Sequence, residues 1–209
     1  PVMLLYRHIF FDVDSTLVTI EGIDELAAGN REVARLTDRA MNGEIPIEDV
    51  YAARLDIIRP TAAMLAALAQ QYVSSIVDGA EETVRTLREA GGVIHLVTAG
   101  IEQAVRPLGQ KLGVEDVRAV RLRFDGERYA GFDPSPLTRN GGKELVVRDV
   151  RARTKGKAAM IGDGVSDLEA KPAVDLFIGF GGVHIRQRVK DNADVFVTDL
   201  PAVIPHLIA

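Results

Sequence analysis

The chain has 209 residues, of which 47% are hydrophobic, and a formal net charge of −5. This composition supports a sizeable core and excludes a disordered or low-complexity protein. The acidic balance argues against nucleic-acid binding, which needs a basic face. The chain has no cysteine and no run of about 18 uncharged apolar residues that could span a membrane. We therefore expect a cytoplasmic protein, monomeric or homodimeric, that binds neither nucleic acid nor membrane.

Five short apolar runs predict β-strands, and helical patterns follow most of them. The runs are HIFFDVD (8–14), VIHLVTAG (93–100), KAAMIGDG (157–164), DLFIGFGG (175–182) and ADVFVTD (193–199). Strands that alternate with helices build a parallel sheet that is covered on both faces. The sequence therefore predicts an α/β fold with a doubly wound, Rossmann-type parallel sheet.

Two segments depart from this alternation. Residues 22–76 contain three consecutive helical patterns and no convincing strand, which predicts a helical cap domain inserted after the first strand. The α/β core domain then comprises residues 1–21 and 77–209. Two alternating runs around Asp125-Gly126, within residues 118–133, predict a β-hairpin flap, since Asp-Gly favours a tight turn between strands.

Carboxylates follow two of the predicted strands at the edge where open α/β sheets bind ligands. Asp12 and Asp14 end the first strand, and their spacing of two points both side chains to one side of an extended backbone. Asp163 ends another strand in IGDGVSD. Three carboxylates at one edge repel each other, and Mg²⁺ with a substrate phosphate relieves that repulsion.

A hydroxyl and an ammonium complete a pattern suited to phosphoryl transfer. Thr98 follows the second strand, and Lys143 follows the glycines of RNGGKE. Both can donate hydrogen bonds to a phosphoryl group as charge spreads over its oxygens. An aspartate nucleophile beside a metal then indicates transfer through an aspartyl-phosphate. Each residue alone is a weak signal, and the set in this chain order carries the interpretation.

Four segments resemble the four motifs of the haloacid dehalogenase superfamily of phosphohydrolases: DVDSTLV, TAG after a strand, the isolated lysine, and GDGVSDLEA. Further segments resemble the phosphoserine phosphatase family within it, among them EGIDELA, RAMNGEIPIEDVYAARL and FIGFGGVHIRQRVKDNADVFVTDL. The resemblance runs from about residue 8 to about residue 207. It implies Mg²⁺-dependent hydrolysis of O-phospho-L-serine to L-serine and phosphate, the last step of serine biosynthesis.

The resemblance also implies catalytic and metal-binding roles. Asp12 is the expected nucleophile, and Asp14 is the expected general acid and then the general base. Mg²⁺ is expected to bind the Asp12 carboxylate, the main-chain carbonyl of Asp14 and Asp163. Asp167 is expected to support the water shell of the metal or to orient Lys143.

The resemblance implies a substrate site as well. Phosphoserine carries an ammonium and a carboxylate besides its phosphate, and Glu21 and Arg54 match the family residues that bind them. Met41 matches a residue that lines the pocket, and Ser166 matches one near the substrate. The expected phosphate-binding residues are Thr98, Ala99, Gly100 and Lys143.

Two departures from the family leave alternatives open. Thr98-Ala99-Gly100 stands where the family typically has Ser-Gly-Gly, and alanine is strained there if position 99 needs a positive φ. Ile47 stands where relatives often have an aromatic residue. The alternatives are a phosphatase for another small phosphomonoester and a phosphotransferase. A receiver-like phospho-acceptor domain fits the length and the insertion less well, and GFGGVH at 179–184 lacks the full fingerprint of a dinucleotide-binding module.

Overall fold

A computed structural model describes residues 2–209. Its strands are β1 (His8–Phe11), β2 (Val93–Ile101), β3 (Asp116–Val120), β4 (Leu122–Asp125), β5 (Arg128–Phe132), β6 (Ala158–Gly162), β7 (Leu176–Phe180) and β8 (Val195–Val197). Six of them form one sheet in the order β3-β2-β1-β6-β7-β8, and every pair of neighbours in it is parallel. The predicted α/β fold with a doubly wound parallel sheet is confirmed.

All five expected strands are present, and β3 is a sixth that the sequence analysis missed. Its sequence, DVRAV, carries Asp116 and Arg118, and most of its residues are only partly buried. Edge strands are often charged in this way, which hides the apolar run that marks a central strand. The hairpin formed by β4 and β5 is confirmed, with Gly126 at a positive φ of 59° in its turn. The first residues of the expected hairpin segment belong to β3 instead.

Residues 22–74 contain four helices: α1 (Gly22–Leu26), α2 (Arg31–Met41), α3 (Ile47–Ile58) and α4 (Ala62–Ser74). The side chain of Asn30 caps α2 by accepting hydrogen bonds from two backbone N–H groups, and the Thr61 hydroxyl caps α4 by accepting one. These caps explain why the helices begin where they do. The helical insertion after the first strand is therefore present, while its division from the core as a separate domain stays a prediction.

Six further helices surround the sheet: α5 (Ala80–Glu89), α6 (Glu102–Leu112), α7 (Gly142–Ala152), α8 (Val165–Leu168), α9 (Gln187–Asn192) and α10 (Ile204–Leu207). The central strands β1 and β6 are buried along their whole length, as expected for a sheet with both faces covered. Across residues 2–209, no helix combines the length and the apolar character needed to cross a membrane. Cytoplasmic location and oligomeric state stay predictions.

Candidate active site

The site lies where the three central strands end. Phe11, the last residue of β1, is in register with Leu96 of β2 and Ile161 of β6. The residues that follow on each strand therefore converge at one edge of the sheet. The lining of one cavity there includes ten of the predicted site residues: Asp12, Asp14, Glu21, Met41, Arg54, Thr98, Ala99, Gly100, Lys143 and Ser166. Asp163 and Asp167 are buried beside that cavity rather than lining it.

Lys143 forms the electrostatic centre of the site. It lies in the first turn of α7, and its Nζ donates hydrogen bonds to Asp12 Oδ1 at 2.7 Å and to Asp167 Oδ1 at 2.6 Å. Burial alone would lower the pKa of Lys143, but the two carboxylates outweigh it and raise that pKa above the usual range. Gly142 makes this position possible, because a Cβ there would lie 1.8 Å from the carbonyl oxygen of Pro136.

Asp12, Asp163 and Asp167 form a cluster of buried carboxylates. One oxygen from each lies within 4.8 Å of the others. The Thr16 hydroxyl lies between two of them, 3.2 Å from Asp12 Oδ2 and 3.3 Å from Asp163 Oδ1. Burial, reinforced by Asp12, raises the pKa of Asp167 to about 7 and that of Asp163 well above its usual value. Lys143 and Arg186, whose Nε lies 3.4 Å from Asp163 Oδ2, give two positive charges to three carboxylates, and a hard cation with oxygen ligands fits the remaining deficit.

The carboxylate of Asp14 is not part of this cluster and has its own hydrogen-bond partners. Asp14 Oδ1 accepts a hydrogen bond from the Tyr72 hydroxyl of α4 at 2.7 Å, and Oδ2 accepts one from the Gly22 N–H at 3.1 Å. Burial and the charge of Asp12 raise the pKa of Asp14 to about 6, although the Tyr72 hydrogen bond opposes the shift. A carboxyl group that titrates near neutral pH can both donate and accept a proton during a reaction.

Glu21, which directly precedes α1, and Arg54, which lies on α3, also line the cavity. Glu21 accepts a hydrogen bond from the Ser15 hydroxyl at 2.7 Å, and burial together with Asp14 raises the pKa of Glu21 to about 8. Arg54 is 4% exposed, and its Nη1 donates to the Thr37 hydroxyl at 2.9 Å. Its Nε is buried and has no hydrogen-bond partner among residues 2–209. Burial also lowers the pKa of Arg54, in opposition to the surrounding acids.

The segment from Thr98 to Gly100, near the end of β2, makes two hydrogen bonds that fix its position. The Gly100 N–H donates to the Thr98 hydroxyl at 2.9 Å, and the Tyr51 hydroxyl of α3 donates to the carbonyl oxygen of Ala99 at 2.7 Å. Among residues 2–209, the only non-glycine residues with positive φ are Ser15, Ala28 and Arg59. Ala99 therefore has an ordinary backbone conformation, and the strain that a positive φ would cause is absent.

A family model described as haloacid dehalogenase-like hydrolase matches residues 9–170. The chain belongs to the haloacid dehalogenase-like hydrolases. A phosphoserine phosphatase from Mus musculus is 40% identical over 206 residues, which cover 94% of this chain and 91% of that protein. The Homo sapiens phosphoserine phosphatase is 39% identical with the same coverage. A solved structure of a phospho-aspartyl intermediate analogue of phosphoserine phosphatase is similar with a TM-score of 0.85, at 25% identity, covering 97% of this chain and 99% of that one.

Membership of the haloacid dehalogenase-like hydrolases confirms the predicted hydrolase and the resemblance on which it was based. It decides against a receiver-like phospho-acceptor domain and against a dinucleotide-binding module. The fold similarity extends to a phosphoserine phosphohydrolase-like protein from Francisella tularensis subsp. tularensis SCHU S4, with a TM-score of 0.87 at 22% identity over 96% of this chain and 99% of that one.

Several residues of this haloacid dehalogenase-like site were missed by the sequence analysis. Arg186 is one of them, since its Nε lies 3.4 Å from Asp163 Oδ2 and its Nη1 donates to Asn42 Oδ1 at 3.0 Å. The others are Thr16, Thr37, Tyr51 and Tyr72. Thr16 carries a usable signal, because it lies within the first motif, four residues after Asp12. The remaining residues lie in helical segments or loops where nothing in the sequence marks the direction of a side chain.

Proposed function

We propose that the chain is a phosphoserine phosphatase, which hydrolyses O-phospho-L-serine to L-serine and phosphate through an aspartyl-phosphate and serves serine biosynthesis. The mouse and human relatives support this proposal, because they have that name and match this chain over nearly its whole length. The similar solved structure of a phospho-aspartyl intermediate analogue supports the covalent route, since it belongs to a phosphoserine phosphatase. The expected substrate is therefore a small molecule.

The choice of substrate rests on one observation, which is that Arg54 is buried without an ion-pair partner in the described part of the chain. No carboxylate oxygen among residues 2–209 lies within 4.0 Å of its guanidinium nitrogens. A buried guanidinium without a counter-ion is unfavourable unless a ligand supplies one. The group lines the same cavity as Asp12 and Lys143. A substrate carboxylate beside the phosphate is the partner that this position requires, since guanidinium and carboxylate groups match in shape and charge.

Glu21 supports the same substrate, because its acidic side chain can bind the ammonium group. Its raised pKa reflects burial and the charge of Asp14, which the hydrogen bond from Ser15 and the charge of Arg186 offset only in part. An ammonium group in the cavity would favour the ionised form of Glu21. Carboxylate, ammonium and phosphate together describe a phosphorylated amino acid. The proximity of the carboxylate-binding and phosphate-binding residues in one small cavity favours a short side chain such as that of serine.

We assign Mg²⁺ to the carboxylate cluster, with Asp12, Asp163 and the main-chain carbonyl of Asp14 as ligands and Asp167 beside them. The fit rests on three buried carboxylates whose oxygens lie within 4.8 Å of one another with one lysine among them. When bound, Mg²⁺ neutralises charge on the phosphate oxygens and on Asp12. Lys143 stays charged throughout and holds Asp12 in place.

In the first step, a carboxylate oxygen of Asp12 attacks phosphorus in line with the serine oxygen. A phosphorus–oxygen bond forms to Asp12 as the bond to serine Oγ breaks, and Asp14 gives its proton to that departing oxygen. The end of β2 at Thr98, Ala99 and Gly100, together with Lys143, donates hydrogen bonds to the phosphoryl oxygens. Tyr72 keeps the carboxyl group of Asp14 directed to its place.

In the second step, Asp14 is ionised and takes a proton from a water molecule. The water oxygen bonds to phosphorus, the bond from phosphorus to Asp12 breaks, and inorganic phosphate leaves. Asp12 returns as a carboxylate and Asp14 as a carboxylic acid, so the site is ready for another turnover. A pKa of about 6 for Asp14 suits these alternating roles.

The test is phosphate release from O-phospho-L-serine, phosphothreonine, phosphoethanolamine and an aryl phosphate, each with Mg²⁺ and with a chelator. We expect Mg²⁺-dependent release with a preference of about 100-fold or more in kcat/KM for phosphoserine over phosphoethanolamine. Asp12→Asn is the negative control and should retain the fold while losing turnover. Equal rates on all four substrates would refute the proposed substrate, and activity in Asp12→Asn would refute the nucleophile.

A further inference from the structure

Within residues 2–209, Arg54 makes one side-chain hydrogen bond, to the Thr37 hydroxyl, and its guanidinium lies over the Tyr51 ring, 5.6 Å from the ring centroid. Thr37 is 2% exposed, lies on α2 and lines the cavity with Arg54. Its Oγ1 accepts a hydrogen bond from Arg54 Nη1 at 2.9 Å. The same oxygen lies 2.9 Å from Asp24 Oδ1, to which it donates, and 3.1 Å from the Val33 carbonyl one turn earlier in the helix. The hydroxyl therefore stands between the guanidinium and the carboxylate of Asp24.

This arrangement keeps two opposite charges apart. Asp24 and Arg54 do not form an ion pair within 4.0 Å, although each influences the pKa of the other. Direct pairing would satisfy the buried guanidinium inside the protein and leave it with little reason to bind a ligand. The Thr37 hydroxyl connects Asp24 to Arg54 through two hydrogen bonds and keeps the two charged groups from direct contact. Arg54 is thus partly compensated, and its buried Nε still has no hydrogen-bond partner among residues 2–209.

We propose that Thr37 is the positioning residue for carboxylate recognition: its hydroxyl, anchored by Asp24, holds Arg54 toward the cavity and so sets the preference for phosphorylated amino acids. The inference rests on the proposed function and deepens it. Thr37 touches Arg54 rather than the reacting atoms, so its effect falls on substrate binding. Without the hydroxyl, Nη1 loses its partner and the guanidinium can turn to pair with Asp24.

The test compares Thr37→Val, which preserves volume and removes the hydroxyl, with Thr37→Ser, which keeps the hydroxyl. The substrates are phosphoserine and phosphoethanolamine, which share phosphate and ammonium and differ in the carboxylate. For Thr37→Val we expect KM for phosphoserine to rise about tenfold or more, the effect of one lost hydrogen bond to a charged group, with kcat within about twofold. Values for phosphoethanolamine should not change, and Thr37→Ser should behave as the wild type.

A matched control is available in the same chain. Thr83 on α5 is also fully buried, and its hydroxyl has no hydrogen-bond partner among residues 2–209. Thr83→Val therefore removes a buried hydroxyl that makes no hydrogen bond within the described residues. The kinetic constants of this variant for both substrates should equal those of the wild type. If Thr37→Val does not fold, Thr37→Ala offers the same loss of hydroxyl with less bulk, and the same KM difference between the two substrates is expected.

The outcomes separate this inference from the function on which it rests. A wild-type enzyme that does not prefer phosphoserine over phosphoethanolamine overturns both. A wild-type preference that survives in Thr37→Val overturns the role of Thr37 alone. An equal rise in KM for both substrates, or a Thr37→Ser variant as weak as Thr37→Val, also overturns it, because a general disturbance of the cap then explains the result.

Discussion

The two sides of the cavity treat their buried charges in opposite ways. On the core side, Lys143 is paired with Asp12 and Asp167 at 2.7 and 2.6 Å. On the cap side, Arg54 has one hydroxyl partner and an unsatisfied Nε. The core groups are thus already paired, while the cap group has no ion-pair partner among the residues that the structure describes. Under the proposed function, the catalytic groups are positioned before the substrate binds, and Arg54 gains its counter-ion from the substrate.

The largest effect should come from removing the ion pairs of Lys143 on the core side. Lys143→Met leaves Asp12 and Asp167 without their ammonium, and we expect kcat to fall about 10³-fold. The free energy of unfolding at pH 7.5 should fall by about 3 kcal/mol, because buried carboxylates lose their counter-ion. Part of that loss should return at pH 5.5, because burial and Asp12 raise the pKa of Asp167, removal of Lys143 raises that pKa further, and a protonated Asp167 needs no counter-ion.

Urea unfolding at the two pH values, with steady-state kinetics, measures both effects. The exposed Lys157 provides a control, since Lys157→Met should change neither quantity. Unchanged stability in Lys143→Met would mean that the pairing of Lys143 with Asp12 and Asp167 does not stabilise the folded protein.

The unpaired side should respond differently in Arg54→Met. The variant should raise KM for phosphoserine about 100-fold, since a carboxylate loses its charged partner, and should leave phosphoethanolamine unaffected. Its free energy of unfolding should equal or exceed that of the wild type by up to about 1 kcal/mol, because a buried cation without a counter-ion has been removed. A loss of unfolding free energy as large as that of Lys143→Met would contradict the view that Arg54 is an uncompensated cation while Lys143 is a paired one. Arg85→Met, at an exposed position on α5, is the control for loss of a surface arginine.

The last prediction concerns the pH dependence of stability and involves Glu21 in protein without metal and substrate. Its pKa is raised from 4.5 to about 8, so the folded state keeps a proton that the unfolded state has released between these pH values. Stability from this group is therefore complete below pH 4.5 and falls as pH rises to about 8, by up to about 1.4 kcal/mol per pH unit. Glu21→Gln should make the fall shallower by that amount. Urea unfolding at several pH values between about 5 and about 8 provides the comparison, and parallel curves for the two proteins would contradict it.

The sequence predicted the core side of this site more fully than the cap side. Asp12, Asp14 and Asp163 end strands whose order and direction follow from the βαβ pattern, so their convergence can be expected from topology. Glu21 and Arg54 were found only through resemblance to a family. The Tyr72 and Thr37 hydroxyls could not be predicted, because their contacts depend on how four helices pack against each other and against the strand ends. The strand β3 was missed for a related reason, since a charged edge strand lacks the apolar run of a central one.

The hydrogen bond from Tyr51 to Ala99 has an evolutionary consequence. It ends on a main-chain carbonyl, so the cap is tethered to a position in the backbone and not to a particular side chain. The residue at position 99 can then change from one descendant to another while this anchor stays intact, provided that the backbone keeps its ordinary conformation. The sequence of the phosphate-binding segment can therefore change while the position of the cap stays the same.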